Sequence, residues 1–117
     1  MRITGMDHIV LRSPDIERSI AFYHGVLGLE PVRLDEWRAG KAPFPSVRVT
    51  AGTIIDLLPS DGAAPADGQA LDHFCLVVDG DLYEAECAVQ AAGDVIGAKG
   101  NRFGARGRAE SFYFVGP

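Results

Sequence analysis

At 117 residues the chain has the length of one domain, or of two halves sharing one core, and size scaling has it bury about two thirds of its unfolded surface. Hydrophobic residues make up 47% and charged residues 23%, which excludes the low-hydrophobicity, high-charge signature of disorder. A formal net charge of −5 argues against nucleic acid or an anionic membrane surface as partner, because neutralising phosphates takes a clustered excess of Lys and Arg, and it leaves a small molecule as the expected one.

The chain opens on Met1 to Asp7, a stretch without the apolar run of a secretory signal. Its longest apolar runs, such as Phe74 to Val78, are strand-sized and far short of the roughly 18 residues of a membrane span. A cytoplasmic protein is expected. The two cysteines, Cys75 and Cys87, share no repeated spacing and read as reduced, packed thiols.

In chain order, Met6-Asp7-His8-Ile9-Val10-Leu11 reads as a first strand. Ser13-Pro14-Asp15 then supplies N-cap chemistry, and Ile16, Ile20, Tyr23 and Leu27 recur at helical spacing until Gly28. Three strand-like runs follow: Pro31 to Leu34, Ser46 to Thr50 and Thr53 to Leu58, the last two joined by an Ala51-Gly52 turn. A segment rich in Pro, Gly, Ala and Asp links this to Leu71-Asp72-His73-Phe74-Cys75-Leu76, a strand that repeats the apolar-Asp-His-apolar run sixty-five residues later. Asp79-Gly80-Asp81 opens a second helix through Leu82, Ala85, Val89 and Ala92, ended by Gly93. A glycine-broken stretch from Val95 to Gly107 and a strand from Glu110 to Val115 complete the chain.

The repeat predicts an α+β fold of two tandem β-α-β-β-β modules, residues 1–60 and 71–117 with a linker at 61–70, forming a curved, barrel-like mixed sheet with the helices outside. Counted from its histidine, the second module falls short of a counterpart to the Thr53 to Leu58 strand. Alternation along the strands assigns Ile9, Leu11, Phe74, Leu76 and Val78 to the helix side and turns His8 and His73 to the concave side. Two imidazoles at matching positions are plausible ligands for Zn, Ni, Fe or Mn. With Ile55 and Leu57 on the helix side, Asp56 turns inward, as a third ligand or as a polar residue hydrogen-bonded at its strand. Asp7 and Asp72 lie on the opposite parity and read as turn or supporting groups.

Asp7 to Leu11, the helix end Ala21-Phe22-Tyr23-His24-Gly25-Val26-Leu27-Gly28-Leu29, Ile55-Asp56-Leu57, Asp72-His73-Phe74 and the closing Ser111 to Pro117 together resemble the vicinal-oxygen-chelate superfamily of glyoxalases, bleomycin-resistance proteins and extradiol dioxygenases. The resemblance covers nearly the whole chain. It implies a divalent metal held by His8 and His73, an acidic ligand at Asp56 in glyoxalase-like members, and a Glu from an eighth strand that usually follows a Gly-Pro or Asp-Pro turn. The sequence reaches only as far as that turn, Gly116-Pro117.

The chemistry so implied is Lewis-acid activation of two neighbouring substrate oxygens by a lyase or dioxygenase. The other reading is a metal-free protein that sequesters an aromatic drug in the same cleft. For substrate contacts, Arg48 between Val47 and Val49 points inward or remains a solvated edge residue, and Tyr113 offers a pocket hydroxyl or packs as an ordinary strand residue. Trp37 and Phe44, in the loop-rich stretch from Asp35 to Pro45, lid the pocket, stack on an aromatic ligand or cover a subunit contact. A homodimer is expected, because a curved sheet with one open face buries its cleft best against a second copy.

Overall fold

The computed structural model describes residues 1–60 and 70–116. The expected linker at 61–70, apart from Ala70, lies outside them, as does Pro117. Along the described chain run β1 (Arg2–Ser13), α1 (Ile16–Ile20), which continues as a π-helical segment over Ala21–Val26, β2 (Glu30–Val32), α2 (Leu34–Arg38), β3 (Ser46–Thr50), β4 (Thr53–Pro59), β5 (Leu71–Asp79), α3 (Leu82–Ala91), β6 (Lys99–Gly104) and β7 (Gly107–Phe112). Five strands form one mixed, curved but open sheet in the order β2-β3-β4-β1-β5, and β6 pairs with β7 as a separate ribbon.

The helix boundaries follow their caps. The Asp15 carboxylate accepts from the Arg18 N–H and the Asp81 carboxylate from the Tyr83 N–H, satisfying donors that the first turn leaves free. Gly28 and Gly93 take positive φ, 76° and 95°, just past the helical segments, where a side chain would clash with the backbone. Two expectations are corrected here. The run Pro31 to Leu34 is not a strand throughout: the chain leaves β2 at Val32, Arg33 turns left-handed at φ 59°, and Leu34 opens α2. The last strand lies three residues earlier than Glu110 to Val115, because its Gly107 end closes a turn with β6, pairing Gly104 with Gly107 and Lys99 with Phe112.

The core sits between α1 and the outer face of β3 and β4. Ile16, Ile20, Val47 and Leu57 are buried there, with Tyr23, Leu29, Leu34, Trp37 and Ile55 packed around them. Helical spacing puts Ile16 and Ile20 on one stripe, and strand alternation puts Val47, Ile55 and Leu57 on one face, so the two patterns meet. The expected helix cover of β5 is different: Phe74 and Leu76 turn outward as the parity requires but stay 56% and 42% exposed, because α3 lies along β7 and buries little beyond Ala85.

Register brings the two histidine strands together. β1 and β5 run antiparallel with His8 opposite Cys75 and Val10 opposite His73, and β1 runs parallel to β4 with Val10 beside Asp56. β4 thus lies between β1 and β3. Among the described residues no strand takes the equivalent place between β5 and β7.

Candidate functional site

Because His8, Val10, Ile54 and Asp56 share the concave face, that face carries both apolar packing and polar chemistry. A hollow of about 250 Å³ opens on it. His8 and His73 stand at one wall with ring centroids 5.7 Å apart and the planes 81° to each other, and the Tyr113 ring lies 5.3 Å from His73. Val10, Leu58, Pro43, Phe44 and Phe103 supply apolar lining, and Asp56, Arg33, Arg102 and Arg108 supply charge.

The two imidazoles are held alike. The Nδ1 of His8 lies 2.7 Å from the Asp7 carboxylate and the Nδ1 of His73 lies 2.7 Å from that of Asp72. A carboxylate at Nδ1 keeps a proton there and leaves Nε2 as the free lone pair, the tautomer suited to accepting a proton or binding a cation. Asp7 also accepts from the Ala105 N–H at 2.8 Å and from Arg106 at 3.5 Å, so it ties β1 to the β6–β7 turn. Asp72 accepts from Arg12 at 3.0 Å. The bond to His73, seconded by Arg12, holds its carboxyl below the ordinary range.

Asp56 is almost wholly buried, 1% exposed, and its Oδ1 accepts from the Ser46 hydroxyl at 2.5 Å. Burial raises its pKa; the Ser46 bond and the positive groups His8, Arg33 and His73 work against the rise without cancelling it. A carboxyl so placed is poorly ionised and already engaged. Among the described residues no three His, Cys, Asp or Glu side chains gather as a metal-holding group. The expected set His8, His73 and Asp56 thus does not form a ligand cluster: the donors present are a pair of imidazoles, one short of a usual catalytic site.

Other expected contacts divide. Phe44 and Tyr113 line the hollow. Trp37 does not, because α2 turns it onto the α1 core. Arg48 lies on the concave side but outside the hollow, where its guanidinium donates to the carbonyls of Thr50, Ala51 and Ala105 and fastens the β3–β4 turn to the β6–β7 turn. Sequence reasoning missed Arg33, Arg102, Phe103 and Arg108. The signal for the last three was the clustering of arginines from 102 to 108 in an acidic chain; Arg33 carried none, since its place depends on a left-handed turn at a non-glycine residue.

Residues 5–108 match the Glyoxalase/Bleomycin resistance protein/Dioxygenase superfamily. A relative named probable lactoylglutathione lyase, from Vibrio parahaemolyticus serotype O3:K6 (strain RIMD 2210633), is 32% identical over 90 residues, 74% of this chain and 64% of that protein. The chain therefore spans somewhat less than two thirds of that relative. A crystal structure of a hypothetical protein from Bacillus halodurans C-125 superposes with a TM-score of 0.62 at 20% identity, over 94% of this chain and 83% of the other. A virulence protein from Salmonella typhimurium aligns with a TM-score of 0.44 at 24% identity, over 100% of this chain and 91% of that one.

Proposed function

From the premise that the chain belongs to the Glyoxalase/Bleomycin resistance protein/Dioxygenase superfamily, we propose that it takes a small molecule with adjacent oxygen atoms into the concave hollow and acts on it at the His8–His73 pair. The observation that carries this reading is the duplicated Asp-His arrangement, two imidazoles braced alike and 5.7 Å apart at one wall. Similarity to a protein named probable lactoylglutathione lyase favours lyase over dioxygenase chemistry.

The residues of this chain divide the work. Asp7 and Asp72 fix the tautomers, so that each Nε2 accepts a hydrogen bond or proton from a substrate oxygen or carbon acid. The Tyr113 hydroxyl is placed to donate to an oxygen on which charge develops. Phe44, Phe103 and Val10 exclude water and strengthen these contacts. A divalent ion, Fe, Mn, Zn or Ni, is the cofactor the family favours; held at the two Nε2 atoms, it would supply Lewis-acid stabilisation of an oxyanion. The described donors fall one short of such a site, and the roles above stand without it.

A second reading, metal-free capture of an aromatic compound, is favoured by the missing third donor and by the aromatic lining. Metal analysis of protein purified without chelator, repeated on His8→Ala and His73→Ala, decides between them. Stoichiometric metal in the parent, lost in both variants, supports the enzyme. No metal in the parent, with tight binding of an aromatic compound, supports capture.

A further inference from the structure

Arg33 carries the least explained chemistry in the molecule. It takes φ 59° between β2 and α2, a left-handed conformation that a side chain with a Cβ adopts at a cost in strain. The turn sends its guanidinium into the hollow. There its central carbon lies 3.8 Å from the centre of the Phe103 ring and 4.7 Å from that of Phe44. One terminal nitrogen donates to the Phe44 carbonyl at 3.3 Å, while Nε is buried without a hydrogen-bond partner among the described residues.

An arginine clasped by two rings has its plane fixed, and the donors along its edge are then presented in one direction. A buried guanidinium N–H without an acceptor costs stability unless something fills that place. Arg102 and Arg108 line the same hollow and are themselves steadied by Asn101: Arg108 donates to the Asn101 side chain at 2.8 Å, and Arg102 to its carbonyl at 3.2 Å. The carboxyl in the cavity, Asp56, is taken by Ser46. Three guanidinium groups thus gather in a chain whose formal net charge is −5.

We propose that Arg33, supported by Arg102 and Arg108, anchors an anionic oxygen group of the ligand, a carboxylate or a phosphoryl group, leaving the rest of the ligand to reach the His8–His73 pair. This rests on the hollow being the ligand site, as in the reading above, but needs neither turnover nor a metal. The planar fork of arginine suits two oxygens of one anion, which lysine would meet as a point charge.

The test is direct binding by titration calorimetry with inorganic phosphate and with benzoate, in chelator-treated protein, together with the Arg33 Nε–H resonance in NMR spectra. Arg33→Gly is the informative variant, because glycine accepts the left-handed turn, so folding is retained while the guanidinium is removed. The parent is expected to bind at least one of the two anions and to shift the Arg33 Nε–H resonance on binding. Affinity is expected to fall at least tenfold in Arg33→Gly, with a smaller loss in Arg33→Lys and in Arg108→Gln. A preference for phosphate identifies a phosphoryl anchor and a preference for benzoate a carboxylate anchor, and either supports the proposal. Equal affinity in Arg33→Gly and the parent, or no binding of either anion by the parent, overturns it. Failure of the metal analysis would leave this result unchanged, so the two readings fail separately.

Discussion

The Asp56 carboxyl sits in a wall where charge is costly, and its direction of shift has a consequence for stability. Burial raises its pKa in the folded chain above the ordinary 3.8, against the opposing Ser46 bond and the nearby His8 and Arg33. Folding therefore favours the protonated form: that contribution to stability is complete below the unfolded pKa and is lost as pH rises through the folded one. Asp56→Asn keeps an acceptor for Ser46 and cannot ionise. Its melting temperature, measured with chelator present, is expected to exceed the parent's at neutral pH and to approach it near pH 4. Asp7 works in the opposite way, since it unites His8, the Ala105 N–H and Arg106. Asp7→Ala strands a donor and should cost about 1–3 kcal/mol, with faster amide exchange at Ala105 as the local signature.

For the elements, the meeting of α1 with β3 and β4 carries most of the core. Leu57 is 1% exposed and Ile54 fully buried. Leu57→Ala, which opens a cavity under α1, should cost about 2–5 kcal/mol in chemical denaturation, whereas Val49→Ala, at a side chain 46% exposed, should leave the midpoint nearly unchanged. The caps act at a smaller scale: Asp81→Ala removes the acceptor for the Tyr83 N–H and should cost about 1 kcal/mol. α3 has few other attachments, so the effect should appear first as faster exchange along that helix.

Over the whole molecule, the outer faces of β1 and β5 remain open. Ile3, Met6, Phe74 and Leu76 are all more than a third exposed, and the register sets Met6 opposite Leu76 and Ile9 opposite Phe74, so they form one apolar surface. Contiguous apolar surface of this kind costs solubility unless covered, and a second copy is the expected cover. Sedimentation velocity is expected to give a dimer for the parent and a monomer for Phe74→Glu with Leu76→Glu. A parent that sediments as a monomer at all concentrations would remove the dimer from the proposal. No helix of the described residues is long and apolar enough to cross a membrane.

What the sequence determined by itself follows from periodicity and duplication. Strand alternation put His8, His73 and Asp56 on the concave face and Ile55 and Leu57 on the helix face, and the repeated Asp-His run marked the two strands that meet, because side-chain direction on a strand is set by position alone. Gly28, Gly93, Asp15 and Asp81 likewise marked helix ends through local backbone and capping chemistry. Only the tertiary structure decided that Trp37 belongs to the core, that Arg48 fastens two turns, that Asp56 is taken by Ser46, and that Arg33 enters the hollow between Phe44 and Phe103. Those outcomes depend on which distant segments come to share a cavity, and a pattern that repeats every two or every 3.6 residues carries no record of a neighbour seventy residues away.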